Sequence, residues 1–304
     1  MRPLPPELRG FSLIEATIAI VLAGILGAIV IYFLYPVRQA VDITVRADLT
    51  EAADSAVQRI ARDVRLALPN SVRVTSSGGA AYLEFLAIRA AGRYRADTGS
   101  VSGGTDCAND ESALGQPGND QLSFDTAADT CFKTIGKEAT LSSVVTGVAG
   151  DQLILNNYGS GFTGQDAYAS NANRTTLSSI DTSEAGRDRI AFPTKTFQRA
   201  LHDSPGKRFF IVSGPVTYKC DPGARTLTRH TGYAIAAAQP TAAGTIGAGN
   251  LVAGKVSSCQ FDYTQNVAPQ VGLLTMRVQL SEAVSSGVEE TISLYHAVHV
   301  SNVP

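Results

Sequence analysis

The sequence predicts an α+β fold. One long N-terminal helix, transmembrane in its first half and amphipathic in its second, packs on an antiparallel β-sheet body. Three observations carry this prediction. Ala16 to Tyr35 is an uncharged run of 20 residues. Beyond Pro36, apolar residues recur every three or four positions as far as Leu68. From Asn70 onward the pattern becomes short apolar runs broken by Gly, Pro, Asn and Asp, in a chain with 28 Gly, 13 Pro and no Trp.

At 304 residues the chain is long enough for a sizeable core. Lys+Arg is 25 and Asp+Glu is 27, a formal net charge of −2, which argues against a nucleic-acid-binding protein, since that class carries a basic face. Only 17% of residues are charged, against about 25% in an average soluble domain. The deficit comes from the uncharged N-terminal run and from a body rich in Ser, Thr, Gly and Ala.

Residues 1–10 form a short Pro-rich leader whose cations are Arg2 and Arg9. From Phe11 to Tyr35 the sole ionisable carboxylate is Glu15. At about 1.5 Å per residue, a helix over residues 11–37 crosses the roughly 30 Å of a bilayer core. A secretory signal has an apolar stretch of about 7–15 residues followed by small residues at a cleavage site. The run here is longer, starts beside a carboxylate and ends in Tyr32-Phe33-Leu34-Tyr35-Pro36. The basic leader places residues 1–10 in the cytoplasm and the bulk of the chain on the far side.

Pro36 is able to kink the helix. Past it, residues 38–69 read as an amphipathic stem. Val45, Leu49, Ala53, Val57, Ile60, Val64 and Leu68 line one face, and Pro69 ends the helix. Residues 70–304 read as a β-rich globular domain. Strands are expected at Tyr82–Ile88, Gln152–Leu155, Arg208–Val212 and Val216–Cys220, with Ser213-Gly214-Pro215 between the last two. Leu274, Met276, Val278 and Leu280 share one face of a strand. Ile292, Leu294, Val298 and Val300 share one face of another, with His296 among them. Residues 97–120 and 157–188 are poor in apolar residues and read as linkers.

The four cysteines, Cys107, Cys131, Cys220 and Cys259, contain no C-x-x-C pair, which argues against a zinc ribbon or a thioredoxin-like site. All lie beyond the apolar run and so on its oxidising side. Of three connectivities, sequential pairing closes the two shortest loops. Cys220 continues the face of Val216 and Tyr218, and Cys259 that of Phe261 and Tyr263. Cys220–Cys259 is the better-founded bridge, Cys107–Cys131 would brace a polar insertion, and free thiols are the alternative.

The search for chemistry finds no G-x-S-x-G, H-E-x-x-H or P-loop pattern. Gly159-Ser160-Gly161-Phe162-Thr163-Gly164 matches G-x-G-x-x-G, but the loop-like residues 165–173 come after it where a dinucleotide site needs a helix. His296 and His299, three apart on a strand, point to opposite faces and cannot share a metal. His296 is expected in the core and His299 on the surface. Asp97, Asp106, Asp110, Glu111, Asp120, Asp125 and Asp129 lack calcium-loop spacing and read as a solvated acidic segment. Asn173-Arg174-Thr175 is a lone sequon. No catalytic residue, metal or cofactor is expected.

Gly10-Phe11-Ser12-Leu13-Ile14-Glu15, with the apolar helix directly after it, resembles the signature of type IV prepilins. The resemblance implies cleavage between Gly10 and Phe11 by a prepilin peptidase, N-methylation of Phe11, and Glu15 as the assembly determinant. Arg62–Arg73, Arg208–Val216 and His299–Pro304 are similar to corresponding segments of the minor prepilins of mannose-sensitive haemagglutinin (MSHA) biogenesis, of the MshO type. The resemblance also implies a structural subunit rather than an enzyme, incorporated into or priming a filament. Its implied partners are the peptidase, other major and minor pilins through the N-terminal helix, the inner-membrane assembly platform and the lipid bilayer, with no nucleic acid. It implies a single-pass inner-membrane protein of a Gram-negative bacterium, with its C-terminal domain in the periplasm before assembly and on a surface pilus afterwards. The alternatives are a J-type pseudopilin of a type II secretion system, which shares the helix-plus-β layout, and a membrane-anchored periplasmic binding module.

Overall fold

The computed structural model describes residues 12–95, 122, 124, 129–142, 150–169, 172–198, 204, 206–268, 270–284 and 287–304, excepting the side chains of 34–42, 139, 142 and 266–268. Helix α1 runs from Leu13 to Arg65, 53 residues or about 80 Å, with Pro36 inside it rather than at its end. It stops earlier than the stem predicted from the apolar spacing. Leu66 takes a non-helical conformation, the Leu68 N–H donates to the Leu86 carbonyl, and the Ile88 N–H donates to the Leu66 carbonyl. Pairing with a strand thus replaces the last expected turn, and Ala67 bridges Ala87.

The body is antiparallel throughout its named strand pairs. It comprises β1 (Arg73–Ser77), β2 (Ala80–Arg93), β3 (Asp129–Lys133), β4 (Gln152–Leu155), β5 (Arg174–Thr176), β6 (Ser179–Asp181) and β7 (Arg189–Lys195). Next come β8 (Arg208–Asp221), β9 (Thr226–Thr231), β10 (Asn250–Gly254), β11 (Val256–Ala268), β12 (Val271–Ala283) and β13 (Glu289–Ser301). A seven-stranded sheet carries the order β1-β2-β8-β4-β5, with β9 also on β8 and β10 on β9. Three-stranded sheets take the orders β11-β12-β13 and β3-β7-β6. Each expected strand is present, but the two runs around Ser213-Gly214-Pro215 form the single strand β8. Gly214 adopts φ +114°, which an L side chain resists, and β2 shifts register opposite it. A kink therefore stands where Gly-Pro punctuation suggests a break.

The main core joins α1 to two sheets. Leu49, Ala53, Val57, Ile60 and Val64 pack with Leu83, Phe85, Val216 and Tyr218 of the large sheet, and with Leu274, Met276, Val278, Leu280, Val298 and Val300 of β12 and β13. Residues of β13 alternate in exposure along its length, as a strand under a helix requires. The Cys220–Cys259 disulfide links β8 to β11 and so staples the two sheets together. Cys131 is also disulfide-bonded, while Cys107 lies outside the described residues.

A second core lies at the other end of β8. Phe209 and Ile211 pack with Tyr94, Phe132, Phe192 and Phe197, with ring centroids 5.2 Å apart for Phe132–Phe209 and 5.5 Å for Phe192–Phe197. Asp129 corrects the solvated-segment reading at its own position. It is fully buried at the start of β3, accepting the backbone N–H groups of Thr130 and Cys131. The other acidic residues of that segment lie outside the described ones. Residues 157–188 are more than a linker, since they supply β5, β6 and the buried Ala167, Tyr168, Leu177 and Ile180.

Candidate functional site

The largest unsatisfied surface is the first half of α1. Leu13–Phe33 is 21 residues with a mean hydropathy of 2.5 and none of it buried against the rest of the chain. Its apolar side chains point in every direction, with Ile20 72% and Tyr32 77% exposed. A helix apolar on all sides is stable only in an apolar surrounding. The segment is a candidate membrane span by length and composition.

At its start, Ser12 caps the helix and its hydroxyl accepts the Glu15 backbone N–H at 3.3 Å. Ser12-Leu13-Ile14-Glu15 is the S-x-x-E spacing of a capping box, a local signal that the prepilin-like motif masks by covering the same residues. Glu15 also lies in the first turn, where a carboxylate is favoured by the helix dipole. The Thr17 hydroxyl donates to the Ile14 carbonyl at 2.8 Å, so it enters an apolar medium already satisfied. Gly10 and Phe11 lie outside the described residues.

The second half of α1 is tied to the body by polar contacts that periodicity does not reveal. The Asp63 carboxylate accepts from the Tyr218 hydroxyl and from Arg229 Nε, each at 2.7 Å. Burial, then the neighbouring Asp63, push the Tyr218 hydroxyl well above its ordinary pKa. Arg46 pairs with Glu290 on β13 at 3.3 Å.

Below the helix, Glu84 is fully buried. It accepts from Arg73 Nε at 2.9 Å, the Tyr233 hydroxyl at 3.0 Å and the Thr217 hydroxyl at 3.2 Å. The Arg73 guanidinium also stacks on the Tyr168 ring, 3.6 Å from its centroid. Burial raises the pKa values of Tyr168 and Tyr233, with the nearby Glu84 charge acting in the same direction.

Two segments distant in sequence meet at the helix exit. Asn70 donates its backbone N–H to Asn302 Oδ1 at 3.2 Å and its side-chain amide to the carbonyls of Asn157 and Asn302, at 2.9 and 3.2 Å. The Asn157 amide reaches the Pro69 carbonyl at 2.7 Å. The stretch Arg62–Arg73 and the stretch His299–Pro304 are therefore one locus in space.

The remaining sequence candidates disperse. His296 is half-buried toward α1 while His299 is exposed on the opposite face of β13. Gly159–Gly164 forms turns in a loop after β4, with Gly159 close against the Asn70 carbonyl. Among the described residues no group of three or more His, Cys, Asp or Glu is placed to hold a metal. No protein-family model, curated protein or solved structure matches the chain. Its class is that of an α+β protein with one candidate membrane-spanning helix and a disulfide-stapled β body.

Proposed function

We propose that this chain is a minor prepilin of an MSHA-like type IV pilus, processed between Gly10 and Phe11 and then incorporated into, or priming, the filament. One observation carries the reading. A single helix leaves a 21-residue, predominantly apolar span uncovered and continues without interruption into a stem buried in the body. Such a helix serves two environments in turn, the bilayer before assembly and a bundle of neighbouring helices after it. The GFSLIE motif at its start makes the prepilin peptidase, the other pilins and the assembly platform the expected partners.

Glu15 has a defined part in this reading. In the membrane it lies near the start of the helix and reaches the headgroup region. In a bundle of apolar helices an unpaired carboxylate is costly, and the α-amino group of Phe11, on the same or a neighbouring chain, is the compensating charge. At about 4 Å and an effective dielectric near 20 the attraction is about 4 kcal/mol before desolvation is subtracted. The pair then acts as a check on docking register.

The test is a pair of substitutions in the pilus-producing strain. Glu15→Val removes both charge and polarity, whereas Glu15→Gln keeps a polar side chain of the same size and removes only the charge. Both are expected to leave insertion and cleavage intact and to abolish co-purification with sheared filaments. Normal incorporation of either variant would remove the charge pair from the mechanism. Retention of Met1 in peptidase-competent cells, read by intact mass, would overturn the prepilin assignment itself.

A further inference from the structure

Two strands lie end to end along one edge of β8. β4 pairs with Phe209–Val212 and β9 with Val216–Asp221. Between them Ser213 and Gly214 have no partner in the sheet register on either side, because β2 passes from Ile88 to Leu86 across the same positions. The resulting seam is a recess of about 410 Å³, within the usual range for small-molecule sites. Gln152, Arg174, Ser213, Gly214, Tyr233 and Ile235 line it.

Arg174 enters this seam without a direct ion pair, the Asp166 charge acting on it only through space. Among the described residues it makes no hydrogen bond or ion pair, and its Nε is shielded from solvent. Neither nearby acidic side chain on this part of the sheet bonds to it directly. Asp151 pairs with Arg89 at 2.8 Å, and Asp166 accepts the Tyr168 backbone N–H at 2.9 Å. Burial lowers the Arg174 pKa and Asp166 acts against that shift. The positive charge is felt in turn by Lys195, whose pKa falls through burial and then through Arg174. A half-buried guanidinium whose N–H donors meet no acceptor costs free energy that a directly bound anion would recover.

The rest of the lining selects among anions. The Gln152 amide makes only a long 3.5 Å contact to the Gly150 carbonyl, so its donors are available, and the Ser213 hydroxyl is exposed. The Tyr233 hydroxyl is engaged with Glu84 and Thr217, which leaves its ring and Ile235 as an apolar wall. We propose that the seam binds a carboxylate carried on a short apolar body. Arg174 grips the carboxylate with its planar fork, Gln152 and Ser213 flank it, and the Tyr233 ring and Ile235 receive the apolar part. The site stands independently of the pilus reading, since it uses no residue of α1.

Isothermal titration of the full chain in an uncharged detergent tests the proposal with four probes: acetate, N-acetylleucine, N-acetylleucinamide and inorganic phosphate. N-acetylleucine is expected to bind saturably and more tightly than acetate, and its uncharged amide at least about tenfold more weakly. Arg174→Gln is expected to weaken N-acetylleucine at least about tenfold. Ser213→Asp sets a like charge at an exposed position, and should do the same with an unchanged near-UV circular dichroism spectrum. Absence of saturable binding by both carboxylates overturns the proposal, as does equal binding of acid and amide, or full binding by Ser213→Asp. Phosphate binding more tightly than N-acetylleucine would overturn the assignment to carboxylates.

Discussion

The two halves of α1 share one unbroken backbone and differ in every neighbour. From Leu13 to Phe33 apolar side chains face all sides and none of the span is buried against the other described residues. From Leu49 to Val64 the apolar residues keep to one stripe and are almost wholly buried between two sheets. Helical hydrogen bonding is local, so it persists through both halves and is indifferent to their surroundings. Burial is not local. The first half must find its apolar medium outside the chain, while the second finds it in β8, β12 and β13. A mutation at the same helical position of the repeat should therefore act on different equilibria in the two halves.

The largest effect is expected at the staple that holds the sheets around the buried half. Cys220 and Cys259 close a loop with a sequence separation of 39. In the chain-entropy model such a loop is worth roughly 3–4 kcal/mol. Cys220→Ser with Cys259→Ser should lower body stability by that amount, measured by denaturant unfolding monitored through tyrosine fluorescence. A loss below about 1 kcal/mol would mean that the main core holds both sheets without it.

Next comes the comparison itself. Ile60 is fully buried, and Ile60→Ala should cost about 3 kcal/mol of body stability, within the usual range for such truncations. Ile20→Ala, in the uncovered half, should leave body stability unchanged within about 0.5 kcal/mol. Equal losses at the two sites would show that the halves unfold as one unit.

Asp63 ties the buried half to the sheet, but it and Arg229 keep 25% and 24% of their side-chain surface exposed. Solvent screening reduces the worth of such a pair, so Asp63→Ala should cost about 1–2 kcal/mol. The smallest effect is a pH dependence. Burial and Asp63 raise the Tyr218 pKa in the folded state, so stability is fully present below the unfolded value near 10. As pH rises past that value the unfolded chain ionises first and stability falls, by under about 1 kcal/mol at pH 10.5. Tyr218→Phe should reduce that alkaline slope in denaturant titrations, at the expense of a lower baseline at pH 7.

The contrast between the halves is legible in the sequence alone. A 20-residue uncharged run and a stripe at three- and four-residue spacing are local periodicities, and each residue reports its own environment. The same holds for the alternating faces of β12 and β13, and for Cys220 and Cys259 lying on core-facing positions of their strands. The Ser12 cap, whose hydroxyl accepts the Glu15 backbone N–H, is equally local, and only its overlap with the prepilin-like motif conceals it.

What tertiary structure alone decided depends on partners far apart in the chain. Ser213-Gly214-Pro215 reads as a break, yet pairing with β2, β4 and β9 on either side of it holds β8 together as one kinked strand. Leu68 fits the helical stripe, but Leu86 captures its backbone N–H and the helix ends at Arg65. Asp129 reads as solvated and is buried where β3 pairs with β7 and it stands opposite Lys195. Glu84 has no local sign of interiority for a carboxylate, since Arg73, Thr217 and Tyr233 become its partners only when the sheet and the segment after β9 close over it. Arg174 is ordinary in sequence and becomes notable in a seam between two strands that share one edge. Periodicity records which face of an element is apolar. The pairing of edges and the satisfaction of buried charge are set by register between distant segments, and that register leaves no repeating mark in the sequence.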